Sequence, residues 1–305
     1  MDLIRKLVPT SAKAVDNQPI YALAYSLMAT LQHHFGIEDG GKKYYALALN
    51  HSRNKLQDKH TYYEILKKSD MYFSYPFTKS MHSQCIAFFE GSGSDHDAAE
   101  VYLNLATEIM FNEKESFDKA KPFFEKALRI FENTPNWKLA YVKNNLAILY
   151  ILYRGDFETA ASLLEAALLV GMSSFTYFTL YLNLCMCYLI LHGPASMLFH
   201  SAYVGFDKYH KLVSSRKNAT QYDDIYKQIT DLIILEHSGH KDEVNAKART
   251  VLSQSSSRFF APVLQGIIKR TDSSPSEDTI YSDNVNLYMS LNKYRIFLAE
   301  FRFWE

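Results

Sequence analysis

Three cysteines in 305 residues, Cys85, Cys185 and Cys187, are too few, odd in number and wrongly spaced for a disulfide framework. A reducing compartment, the cytoplasm, is expected. Excess charge of either sign is also missing. Lys+Arg and Asp+Glu both number 33, so no basic stripe offers itself to a nucleic-acid backbone. Basic residues cluster only in small groups, such as Lys211 with Arg216 and Lys217, and Lys269 with Arg270. An RNA-associated protein is therefore the weakest alternative. No run of about 18 uninterrupted apolar residues occurs. The nearest, Phe175 to Leu191, carries Thr176, Thr179 and Asn183 at helical spacing and reads as a buried helix. A membrane partner is not expected. Met1 to Lys6 lacks an apolar core, so no secretion signal is expected. Period-two alternation of useful length is absent too, which leaves an all-α fold.

Catalytic motifs are equally scarce. Gly36-Ile37-Glu38-Asp39-Gly40-Gly41-Lys42-Lys43 has P-loop spacing but puts Lys43 where magnesium needs a hydroxyl, and a helical stretch precedes it. An interhelical turn is expected there. His237 and His240 flank Gly239 in what reads as a solvated turn, and no second ligand pair stands out. Cys185 and Cys187 are two apart on a helix and read as buried thiols. Asp95/Asp97 and Asp223/Asp224 read as helix-start acids. No Gly-x-Ser-x-Gly nucleophile motif occurs. Neither an enzyme, a metal nor a cofactor is expected.

What the chain does have is a repeat. Phe117-Asp118-Lys119-Ala120-Lys121-Pro122-Phe123-Phe124-Glu125-Lys126-Ala127-Leu128 aligns without a gap on Phe157-Glu158-Thr159-Ala160-Ala161-Ser162-Leu163-Leu164-Glu165-Ala166-Ala167-Leu168, 40 residues on. A second pattern precedes each copy: Asn104-Leu105-Ala106, Asn145-Leu146-Ala147 and Asn183-Leu184-Cys185, at spacings of 41 and 38. Periods of this size indicate stacked units that bury a shared core. Each unit reads as two antiparallel helices, A and B. Small residues at Ala106, Ala147, Cys185, Ala120, Ala127, Ala160 and Ala167 permit close approach. Arg154-Gly155-Asp156 supplies an A-to-B turn, and Thr134-Pro135 ends a B helix. Pro122 is expected in the first turn of its helix.

Leu146-Ala147, Tyr150, Ala160, Leu164 and Ala167, preceded by Leu105-Ala106, Ala120, Phe124, Ala127 and Pro135, resemble the tetratricopeptide-repeat pattern. Ile109 stands where that family has tyrosine, the early tryptophan is missing, and the units exceed the usual length of about 34 residues. The match spans roughly residues 98 to 192. The resemblance implies an antiparallel helix-pair, right-handed α-solenoid with irregular capping helices. The expected division is an N-terminal helical cap (1–90), core repeats (91–192) and degenerate C-terminal repeats (193–305). The first boundary rests on Glu90 to Asp95, which reads as a flexible linker. The tail, Ile280 to Trp304, reads as an aromatic-rich terminal helix.

The resemblance also implies a concave groove lined by helix A residues: Asn104, Thr107 and Phe111, then Tyr141, Asn144, Asn145 and Ile148, then Asn183 and Met186. In such arrays asparagines grip a peptide backbone, since an amide both donates and accepts. Bonding of these amides within the helix layer is the equal alternative. The expected function is a non-catalytic sensor or scaffold that binds a protein or peptide. The style of the units is similar to the C-terminal sensor regions of bacterial STAND-type NTPases of antiviral defence. A free-standing adaptor that forms homo-oligomers is the alternative.

Overall fold

The computed structural model describes residues 19–34, 38–53, 59–75, 77–113, 115–133, 137–170, 173–215, 221–253 and 261–272. Among them are thirteen α-helices, packed in successive pairs, and no strand. By packing, the chain forms two units, Met1–Ile130 and Phe131–Glu305. The first contains α1 (Pro19–His34), α2 (Glu38–His51), α3 (Lys59–Leu66), a 3₁₀ turn (Ser69–Met71), α4 (Phe77–Ser92), α5 (Asp95–Asn112) and most of α6 (Ser116–Glu132). The second contains α7 (Lys138–Arg154), α8 (Phe157–Leu168), α9 (Ser174–His192), α10 (Met197–Ser214), α11 (Gln221–His237), α12 (Lys241–Ser253) and α13 (Ala261–Asp272).

In the first unit, α1 and α2 pack through alanines. Ala22, Ala29 and Ala48 let the two backbones approach, and Tyr45 fills the space beside them against Ile65 and Tyr72. The Tyr45 and Tyr72 rings stack at 4.5 Å. The next pair, α4 and α5, brings together two apolar stripes. Thr78, His82, Cys85 and Phe89 repeat every three or four residues along the buried face of α4. Opposite them α5 supplies a buried face that includes Leu105, Ala106 and Ile109. The stretch expected to be a flexible linker is a tight turn instead. Helix α4 runs to Ser92, Gly93 takes a φ of 72°, and Ser94 precedes α5. Residues 90 and 91, the expected cap boundary, therefore both lie inside α4. Gly40 and Gly41 lie in the first turn of α2 rather than between helices, so they form no phosphate-cradling loop; Gly36 and Ile37 lie outside the described residues.

The repeat positions are where the core sits. Ala106, Ala120, Phe124, Ala127, Ala147, Ala160, Leu164, Ala167 and Cys185 are all fully buried. Burying a side chain such as Phe124 or Leu164 contributes roughly 1.5–3 kcal/mol. In the second unit α8 packs on α7 and on α9, and α10 packs on α9, where Phe178 stacks on Phe206 at 5.4 Å. The turn after α7 needs its glycine: Gly155 has φ 61° and ψ 22°, and its N–H caps Ile151. Asp156 then accepts from the Thr159 N–H and starts α8.

One local expectation changes. Pro122 is not in the first turn of its helix but inside α6, where it removes one backbone donor from the ladder. A helix that the sequence patterns do not single out, Ala261–Asp272, packs on α12. Pro135, Arg216, Lys217 and the tail from Ile280 to Trp304 lie outside the described residues.

Candidate binding surfaces

The expected groove residues fall into two groups. Asn104 and Phe111 on α5, and Tyr141 on α7, are half-buried and keep solvent-facing area. Thr107 is buried and donates its hydroxyl to the Leu103 carbonyl one turn back, at 2.8 Å. In the second unit Asn144, Asn145, Ile148, Asn183 and Met186 are all at most 1% exposed. Asn183 Nδ2 donates to Asn144 Oδ1 at 2.8 Å, and Asn144 Nδ2 donates to Asn145 Oδ1 at 3.1 Å. The amides thus bond to one another between α7 and α9. For the three amides this is the intralayer alternative, and all five side chains are buried. The reason is energetic: a buried primary amide must spend its donors and acceptors on the protein. Tyr141 adds a further link from α7 to α9 through a 3.2 Å bond to Thr176.

Solvent-facing apolar area lies instead on α10. One side of this helix, Phe199, Ala202, Phe206 and Val213, is buried. Its other side carries Met197, Ser201, Val204, Lys208 and Leu212, spaced by three or four residues, all exposed. Met197 is 83% and Val204 67% exposed. Tyr203, Val204, Asp207, Lys208, Lys211 and Leu212 line an open trough of about 480 Å³. The backing is firm. Lys227 of α11 reaches Asp231 at 2.7 Å and the Tyr203 hydroxyl at 2.9 Å, and Tyr203 donates to Asp231. On the inner side Gly205 leaves room for Tyr181, since a Cβ there would lie 2.4 Å from its ring. Tyr181 stacks on Tyr209 at 5.7 Å. Sequence reading missed this face, although its signal was present as apolar residues on both sides of one helix.

The first unit holds two clusters of ionisable side chains. Lys67, with 10% of its side chain exposed, lies 2.8 Å from Glu64 and 3.1 Å from both Asp97 and Glu100. Burial disfavours its charge, but Glu100, Glu64 and Asp97 outweigh that effect and raise its pKa. The second cluster, Asp70, His82 and Glu108, is more deeply buried. The cysteines offer no reactive thiolate: burial pushes Cys85 up to about 12 and Cys185 well above its ordinary value. His237 and His240 flank Gly239, whose φ is 83°, at the turn between α11 and α12.

Neither a protein-family model nor a curated protein matches the sequence. A solved structure does match in fold: the crystal structure of BtubC (BKLC) from P. vanneervenii. The TM-score is 0.52, with 19% identity, over 66% of this chain and 83% of that one. The fold is helical-repeat-like. At this identity the likeness speaks for the arrangement of helices and for nothing further. Among the described residues, no helix is long and apolar enough to cross a membrane.

Proposed function

We propose that the chain is a non-catalytic, protein-binding module of the helical-repeat type, similar to tetratricopeptide arrays. The observation that carries this reading is the outer face of α10. An exposed strip of Met197, Val204 and Leu212, edged by Lys208, Lys211 and Asp207, has the composition of a recognition surface rather than of an ordinary solvated helix. The buried side of the same helix fixes it, so binding requires little ordering of the surface. The surface lies on the second helix of a pair, not on the helix A groove. Of the residues expected there, Asn104 and Phe111 in the first unit and Tyr141 in the second keep exposed area. The ligand is an apolar helix or extended segment of a protein partner. In a larger signalling protein the module would be the ligand-sensing part; by itself it would be a scaffold.

Affinity capture from the source lysate tests the reading, with the wild type compared against a Val204→Asp, Leu212→Asp double variant. A stoichiometric partner retained by the wild type and lost by the variant, at unchanged helicity, is the expected outcome. Equal retention by both would move binding away from α10. Retention of nothing, together with elution as a defined oligomer, would replace the reading by self-association.

A further inference from the structure

The Asp70–His82–Glu108 cluster has no place in a protein-binding surface. His82 is fully buried on the inner face of α4, and its two ring nitrogens meet different groups. Nε2 lies 3.2 Å from the Lys67 carbonyl oxygen. A carbonyl can only accept, so Nε2 carries a proton. The other ring nitrogen, Nδ1, points toward Glu108 Oε2 at 3.0 Å. Nδ1 and Glu108 Oε2 are both buried and have no hydrogen-bond partner among the described residues. A ring nitrogen and a carboxylate oxygen at that separation hold a positive centre between them, a proton or a metal ion. Asp70, on the 3₁₀ turn, brings a second carboxylate, with Oδ2 3.7 Å from Nε2. Side-chain exposure is 2% for Asp70 and 11% for Glu108.

A carboxylate withdrawn from water, as that of Glu108 is, needs compensating charge. Lys67, close by in sequence, is engaged with Glu64, Asp97 and Glu100. We propose that Asp70, His82 and Glu108 form a binding site for a divalent transition-metal cation of the zinc class. One ligand atom from each residue lies within 4.8 Å of the others. With bonds of about 2.1 Å, a 3.0 Å separation of Nδ1 and Oε2 subtends roughly 90° at the ion. The Lys67 carbonyl on Nε2 is the outer partner that fixes the ring and frees Nδ1, as backbone carbonyls do for metal-binding imidazoles. One imidazole with two carboxylates suits Zn²⁺ or a neighbouring ion better than Ca²⁺ or Mg²⁺, which take oxygen ligands alone. Three elements supply the ligands, the 3₁₀ turn, α4 and α5, so the ion would tie them together. The other two clusters of this kind, His60–Glu64–Asp97 and His96–Asp97–Glu100, contain exposed histidines and acids already paired with Lys67. They carry no such inference.

Zinc binding to the full chain by titration calorimetry, with dialysed metal content, tests this. Wild type should bind one equivalent of Zn²⁺ per chain and melt at higher temperature with it. Glu108→Gln and His82→Gln should each weaken binding by more than the roughly 10- to 100-fold that loss of an outer partner produces. His96→Gln should leave binding unchanged. If the His82 variant does not fold, Glu108→Gln and the ligand-field absorption of a Co²⁺-loaded wild type decide. A folded wild type without Zn²⁺ affinity overturns the proposal, and the cluster is then a protonated imidazole held between carboxylates. Binding that survives both ligand substitutions and disappears in His96→Gln overturns it as well.

Discussion

Replacing Asn144 by alanine separates a structural amide chain from a ligand-reading one. Asn144 is 1% exposed, accepts from Asn183 at 2.8 Å and donates to Asn145 at 3.1 Å. Each such bond contributes about 1 kcal/mol net, and a buried group that loses its partner costs a further 1–3 kcal/mol or so. Truncation also leaves a small void between α7 and α9. The sum is a loss of about 2–4 kcal/mol, confined to the second unit. Urea unfolding followed by far-UV circular dichroism measures it. With a slope of about 3 kcal/mol/M, the midpoint of that unit's transition should fall by roughly 1 M. Asn104→Ala, on the half-buried α5 position, is the control and should stay within about 0.5 kcal/mol of wild type. A shift below about 0.2 M for Asn144→Ala would refute the buried-chain reasoning and return these amides to a ligand-facing role.

Gly155→Ala should destabilise the second unit by about 1 kcal/mol in the same assay, because alanine is strained at φ 61°; Gly155→Asn should lose less. Lys67→Met should destabilise the first unit by about 3 kcal/mol at neutral pH, since three acids lose their shared cation; a loss below 1 kcal/mol or so would mean that solvent already screens the cluster. The Lys211 ammonium, 2.6 Å away, holds the Asp207 carboxyl below its ordinary value. Its stabilising contribution is present above the unfolded-state value and vanishes as pH falls through the lower folded value. Lys211→Met should raise the Asp207 midpoint in a carboxyl NMR titration; an unmoved midpoint would assign the shift to another neighbour.

Much of the fold was legible because small residues recurred at fixed offsets. Ala120/Ala127 and Ala160/Ala167 have one steric reason to exist, close helix approach, and they are buried where that reason requires. Gly155 was legible for the same kind of reason: a tight turn between two helical patterns needs a left-handed residue. Glu90 to Asp95 misled because glycine and serine suggest a linker by composition, while the flanking apolar stripes of α4 and α5 hold the turn tight. Pro122 misled because proline favours the first turn of a helix, whereas α6 already begins at Ser116.

The candidate sites were less legible. Sequence spacing places Asn145 and Asn183 at matching positions of successive units, but spacing alone cannot say whether an amide meets solvent or another amide. Asn144, one residue earlier, decides that by bridging both. His82 sits within the apolar stripe of α4, a visible anomaly, yet its two carboxylates come from the 3₁₀ turn and from α5. Only the folded chain brings them together.

Hydrogen–deuterium exchange of the chain with and without its captured partner tests the central claim most directly. The account predicts slowed exchange over Met197 to Ser215, with the amides of α7 around Asn144 and Asn145 unchanged because they are already buried. Protection of α7, with α10 exchanging as in the free protein, would contradict it and place binding on the expected helix A residues.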